Sequence, residues 1–132
     1  MDEVLTDYPF RLAVNMAKKS PSRFRLGAVL VKRNKIISAG FNMMHKTHTL
    51  MQRYNMDKSW TPGLHAEIHA CIGVPMADLE GASLYVVRIL KDGSLAMSKP
   101  CLICQRFIAD VGISNVFYVE RNGEYKELYG RP

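Results

Sequence analysis

Apolar and polar positions along this chain repeat with two different periods. From Leu5 to Ala17 the apolar residues Leu5, Tyr8, Leu12, Ala13, Met16 and Ala17 recur at helical spacing, which predicts an amphipathic helix. Ser20-Pro21-Ser22 stops it. A short apolar run rich in strand formers, Leu26 to Val31, is followed by Arg33-Asn34 and then Ile36 to Phe41; this pattern predicts a β-hairpin. Residues 42–63 read as a long polar loop closed by Pro62-Gly63, and loops of that length in small domains are usually functional or mobile. His65 to Ile72 reads as a helix ended by Gly73 and Pro75. Leu84 to Leu90 is a strand, Lys91-Asp92-Gly93 a turn, and Leu95 to Met97 a short returning strand. Pro100 opens a helix over Cys101 to Val111, with Gly112 as its C-terminal stop. Asn115 to Val119 is a further strand, and Asn122-Gly123 turns the chain into a polar tail.

The predicted order α-β-β-α-β-α-β gives an α/β fold with three layers, α-β-α, around a mixed central sheet of about five strands. Strand 84–90, helix 101–111 and strand 115–119 read as a right-handed parallel crossover. No repeat or linker interrupts residues 1–132, which read as one domain, and 132 residues can bury a core without staples. Apolar residues make up 48% of the chain, which excludes the composition of a disordered segment. No run of about 18 apolar residues occurs, so no membrane span is expected. The acidic start Met1-Asp2-Glu3 differs from a secretory signal, and the expected location is the cytoplasm. The net charge of +6 suits an anionic partner such as a nucleotide, a polynucleotide or a membrane surface. It suits ordinary solubilising charge equally well.

Three cysteines, Cys71, Cys101 and Cys104, are too few and of the wrong parity for a disulfide framework. Cys101 and Cys104 stand in C-x-x-C spacing after Pro100, and His65-Ala66-Glu67 opens the preceding helix. Each motif alone is weak. In this order, each starting a helix after a Pro-containing turn, they match the H-x-E … P-C-x-x-C deaminase signature. Thiolate and imidazole suit Zn²⁺, and the three protein ligands His65, Cys101 and Cys104 leave a fourth tetrahedral position for water. Helix N-termini favour the thiolate forms. Zinc brings the pKa of bound water toward about 7. Glu67, two residues past His65, then suits a proton shuttle between water, substrate ring and leaving ammonia. Two other readings stay open: a closed structural zinc site completed by His69 or Cys71, and a redox C-x-x-C pair.

With these residues the chain resembles the cytidine and deoxycytidylate deaminase superfamily. The similarity runs through Leu26-Gly27-Ala28-Val29, Ser38-Ala39-Gly40-Phe41-Asn42, His65-Ala66-Glu67, Leu84-Tyr85-Val86 and Pro100-Cys101-Leu102-Ile103-Cys104. Within it the chain looks most like dCMP deaminases, including phage-type ones, through the Gly-aromatic-Asn segment before the long loop. The resemblance implies a cytidine deaminase-like fold and hydrolytic deamination of dCMP to dUMP with catalytic Glu67. It also implies substrate contacts at Asn42, Ala66, Ser98 and Tyr118, homo-oligomeric assembly, dCTP and dTTP as effectors, and host cytoplasm as the location if phage-encoded. Segment 90–99 is longer than the family's short link before Pro-Cys, and Lys99 replaces a small residue there. A 5′-phosphate would need cations: Arg25, Lys46 and Arg53 are the candidates, with Arg23 and His48 beside them. The alternatives are a nucleic-acid base deaminase acting on tRNA or single-stranded DNA, for which the tail 120–132 lacks a long basic helix, and a deaminase of free cytidine or guanine.

Overall fold

A computed structural model describes residues 7–55 and 63–128. Helix α1 (Tyr8–Lys18) has a proline in its first turn and buries Phe10, Ala13 and Ala17; Ala13 and Ala17 belong to the expected stripe, whereas Tyr8 is exposed and Phe10 takes the buried place. The positions before Asp7 lie outside the described residues. Strands β1 (Arg25–Lys32) and β2 (Lys35–Phe41) form the expected antiparallel hairpin, with one register shift between Leu30 and Val31. Its turn holds Arg33 and Asn34 at φ 53° and 63°, the left-handed pair that matches strand twist in two-residue hairpins.

The expected loop 42–63 contains a helix that the pattern missed. This is α2 (Thr49–Tyr54), which buries Met51 and Tyr54 and is capped by His48, whose ring accepts from the Leu50 N–H. Residues 56–62 of that loop lie outside the described residues. The helix expected over 65–72 is only α3 (Ala66–His69), continued by turns, and a second short helix, α4 (Met76–Leu79), follows Pro75. Strand β3 (Ser83–Ile89), the two-residue β4 (Leu95–Ala96), helix α5 (Leu102–Val111) and β5 (Asn115–Val119) fall where expected. Gly112 takes φ 84° at the end of α5. The tail is not only a tail: β6 (Tyr125–Leu128) pairs antiparallel with β5. It is an edge strand with Tyr125, Lys126 and Glu127 exposed, so no apolar alternation announces it.

The sheet runs β2-β1-β3-β5-β6, with β4 pairing to β3, which gives six strands among the described residues, in line with the expected mixed sheet of about five. It is mixed: β1 meets β2 and β3 antiparallel, and β3 meets β5 parallel through α5. Strand alternation divides the core between the two faces. Ala28, Leu30, Leu84, Val86 and Val116 face Ile68, Ile103, Phe107 and Ile108. Val29, Val87, Ile89 and Val119 face Phe10, Ala13 and Ala17 of α1. Helices therefore lie on both faces, as a three-layer arrangement requires.

Two glycines set how closely the layers approach. A Cβ on Gly27 would lie 2.0 Å from the Ala13 carbonyl oxygen of α1. A Cβ on Gly40 would lie 2.5 Å from the Ala70 nitrogen, just past α3. Backbone meets backbone at both places. Among the described residues no helix is long and apolar enough to cross a membrane.

Candidate metal centre and its cavity

The site is built where α3 and α5 begin. His65 is the N-cap of α3 and Cys101 the N-cap of α5, while Cys104 sits one turn into α5. His65 Nδ1 lies 3.4 Å from Cys104 Sγ and 3.5 Å from Cys101 Sγ. All three donor atoms lie within 4.8 Å of one another. Tetrahedral zinc with ordinary Zn–N and Zn–S bonds needs N–S separations of about 3.6 Å. The three donors fit Zn²⁺ in both spacing and chemistry, and the His65 nitrogen that faces the two sulfurs is Nδ1.

The fourth-ligand candidates are elsewhere. His69 Nδ1 stands 3.0 Å from the Phe41 nitrogen and 2.9 Å from the Phe41 oxygen, tying α3 to the end of β2. Cys71 is buried in the core, and burial pushes its thiol up to about 12. Among the described residues the metal-binding group stops at three, the composition of a zinc site that keeps a position open.

A hydrogen bond links the two thiols and drives them apart in acidity. Hydrogen bonding with Cys104 and with His65 brings Cys101 down to about 4, even though burial opposes it. The same contact with Cys101, together with burial, holds Cys104 well above the usual thiol range. Burial alone would lower His65, but its hydrogen bond to Cys101 and the charges of Glu67 and Cys101 outweigh that and raise it. Such a set gives up its protons to a bound cation, since metal binding and thiol ionisation are linked. Glu67 is 3% exposed; burial pushes its carboxyl up against the pull of His65.

A cavity of about 450 Å³ opens over this group. His65, Ala66, Glu67 and Cys101 form its floor, and Phe24, Leu26, Asn42 and Met44 its walls. Asn42 and Ala66 are thus brought to the cavity as the sequence suggested. Most of the Asn42 side chain's bonding capacity is already used by protein. Its Oδ1 accepts from the Leu26 N–H at 2.9 Å and the Ser20 hydroxyl at 2.7 Å, and its Nδ2 donates to the Phe24 carbonyl at 2.6 Å. Asn42 therefore fixes the segment between α1 and β1 that carries Phe24. Ser22 adds a second tie by accepting from the Met44 N–H at 3.0 Å.

Ser98 and Tyr118 are buried and do not line the cavity. Ser98 instead ties two strands together. Its hydroxyl donates to the Val86 carbonyl and accepts from the Val119 N–H, both at 2.8 Å, and its own N–H donates to the Val119 carbonyl at 2.9 Å. Of the three cations put forward for phosphate, none reaches the cavity. Arg25 donates to the Leu90 carbonyl at 2.8 Å, Lys46 is exposed outside the lining, and Arg53 borders a different cavity beside His48. The cations that do line it are Arg23 and Lys99. Strand parity could have excluded Arg25: Leu26, Ala28 and Leu30 lie on the face shared with the site, so Arg25 falls on the other.

The profile of the cytidine and deoxycytidylate deaminase zinc-binding region matches residues 5–120. The chain belongs to this deaminase family. Its cofactor is zinc, and His65, Cys101 and Cys104 are the residues positioned to hold it. An uncharacterised deaminase encoded in the 3′ region of luxG in Aliivibrio fischeri is 30% identical over 113 residues, covering 85% of this chain and 69% of the relative. The deoxycytidylate deaminase of Mycobacterium phage D29 is 27% identical over 127 residues, covering 85% and 91%. The fold matches the cytidine deaminase of Burkholderia pseudomallei with TM-score 0.64 at 20% identity, over 93% of this chain and 91% of that one. It matches the dCMP deaminase of cyanophage S-TIM5 with TM-score 0.60 at 23% identity, over 92% and 86%. The family member described here is thus a deaminase of cytidine or dCMP type with that family's fold.

Proposed function

We propose that this deaminase hydrolyses dCMP to dUMP and ammonia. One observation carries the reading: a single cavity joins a three-donor zinc site, a buried carboxyl and two cations at its border. Zinc in this site supplies Lewis acidity that makes water nucleophilic at neutral pH. The protein side of the chemistry falls to Glu67. Its carboxylate takes a proton from the attacking water and delivers it to N3 of the pyrimidine. It then carries the second proton to the departing amino group, so that C4–NH₂ and H₂O become C4=O and NH₃. Burial suits Glu67 to this exchange, because a desolvated carboxyl holds a proton more readily than an exposed one. Phe24, Leu26 and Met44 offer an apolar wall for a flat base. The phage relative named a deoxycytidylate deaminase, and the cyanophage dCMP deaminase solved with dCMP and dUMP, support the choice of nucleotide.

A second reading, deamination of tRNA or single-stranded DNA, draws on Phe24. This ring is 52% exposed and lies 4.8 Å from the Arg88 guanidinium and 5.8 Å from that of Arg23. Exposed aromatics among cations are how single strands are bound. Ammonia release from dCMP, dCTP, deoxycytidine, cytidine, guanine, tRNA and single-stranded DNA separates the readings. The proposal expects dCMP to give the highest kcat/KM, and a faster polynucleotide reaction overturns it. The same reading carries homo-oligomeric assembly and dCTP and dTTP as effectors. Light scattering and dCMP kinetics with each triphosphate test these.

A further inference from the structure

We propose that Lys99 and Arg23 select for a phosphorylated substrate at this cavity. This rests on the dCMP reading above and assigns the residues that such a reading needs.

Lys99 is fixed in place from both sides. Ser98, one residue before it, is held by three hydrogen bonds to β3 and β5. Pro100 is buried after it, and Cys101 follows at the metal site. The backbone of Lys99 therefore cannot drift relative to the metal donors, and only its side chain remains adjustable. Arg23 belongs to the 20–26 segment, which Asn42 and Ser22 fasten to the cavity wall. Its guanidinium lies 5.8 Å from the Phe24 ring centre, a cation–π contact that narrows the positions the head group visits.

Neither cation has an ion-pair partner among the described residues. Glu67 is the one carboxylate among the residues lining the cavity, and it sits on the floor. The mouth thus presents two uncompensated positive charges above an otherwise apolar wall, a field that attracts an anion joined to a flat base. A phosphate ester on a nucleoside meets that description, whereas a free nucleoside leaves both cations unused. Arg25, Lys46 and Arg53 cannot serve in their place, because one is already bonded to Leu90 and the others lie outside the lining.

The test compares kcat/KM for dCMP and for deoxycytidine in wild type, Lys99→Met, Lys99→Arg, Arg23→Met and the double Met variant, with Lys46→Met as control. Inorganic phosphate is added as a competitor of the dCMP reaction. Charge-assisted contacts at a solvated rim fall at the lower end of their range, so each Met substitution lowers the dCMP-to-deoxycytidine ratio about 10-fold. The double variant lowers it between about 10- and 100-fold, since both residues meet one phosphate and their losses need not add. The loss appears in KM more than in kcat, Lys99→Arg restores most of it, and phosphate inhibition weakens in parallel. Lys46→Met leaves the ratio unmoved. If wild type prefers dCMP and the ratio survives both Met substitutions, this proposal is wrong and the dCMP reading stands. If wild type turns over both substrates equally, the dCMP reading itself falls.

Discussion

Substituting Gly40 by alanine tests whether sheet packing sets the geometry of the metal site. The added Cβ would sit 2.5 Å from the Ala70 nitrogen, 2.9 Å from the His69 carbonyl carbon and 3.0 Å from the Ala70 Cα. All three are backbone atoms, so no side chain can swing aside. Ordinary contact begins near 3.4 Å, and α3 must therefore retreat from β2 by about 0.9 Å or the sheet must bend. Overpacking of this kind costs about 1–3 kcal/mol. For a chain of this size that lowers Tm by roughly 3–12 °C. The same retreat carries His65 and Glu67 away from Cys101 and Cys104, which stand on α5. Misplacement by about 1 Å can cost about 10²-fold in rate. The control is Gly81→Ala. Gly81 has φ +81° and nothing within 4 Å of a Cβ, so alanine there pays about 1–2 kcal/mol of backbone strain and moves nothing. The assay is calorimetry, zinc content and kcat/KM on the folded fraction of each variant. Gly40→Ala should lose both stability and kcat/KM, and Gly81→Ala stability alone. Wild-type kcat/KM in a folded Gly40→Ala protein would refute the view that this contact positions the metal helix.

Other outcomes follow from the same contacts. Glu67→Gln preserves side-chain volume in a buried position, so zinc content and Tm should hold while kcat for dCMP falls by about 10² or more; turnover near wild type would remove Glu67 from the proton path. Cys101→Ala, or exhaustive chelation of the native protein, should remove zinc and lower Tm together, and an unchanged Tm after verified metal loss would show that folding does not draw on the ion. Ser98→Ala leaves the Val86 carbonyl and the Val119 N–H buried without their partner, which should cost about 2–4 kcal/mol in denaturant unfolding; a cost under about 0.5 kcal/mol would mean that the tie is replaceable.

The metal group was legible in the sequence because its chemistry fixes residue type. Few side chains bind zinc, and a helix start fixes where Cys101 and Cys104 point. The β1–β2 hairpin was legible for a similar reason, since alternation and a two-residue turn leave one register. Other features depend on partners far along the chain. Helix α2 exists because Met51 and Tyr54 find a core to enter, and β6 because β5 offers an open edge. Ser98 reads as a polar residue near a motif, yet its partners Val86 and Val119 lie 12 and 21 positions away. The same is true of the cations. Arg25 and Arg23 are only two positions apart, yet Arg25 lies in β1 and bonds the Leu90 carbonyl, whereas Arg23 precedes the strand and lines the cavity.

The β3–β4 hairpin is pinned at both ends, by Arg25 on the Leu90 carbonyl and by Ser98 between β3 and β5. Its tip, Lys91 to Ser94, is exposed and held by the local bonds of Asp92 to the Ser94 N–H and hydroxyl. Length added at the tip is absorbed before either anchor feels it, and exposed tips of this kind accept insertions readily. The hairpin tip is therefore a graft point. A peptide epitope, a fluorophore-bearing cysteine or a recognition loop placed between Asp92 and Ser94 would leave the spacing from Ser98 to Cys101 untouched. Lineages could likewise vary this loop in length and sequence without disturbing the metal donors.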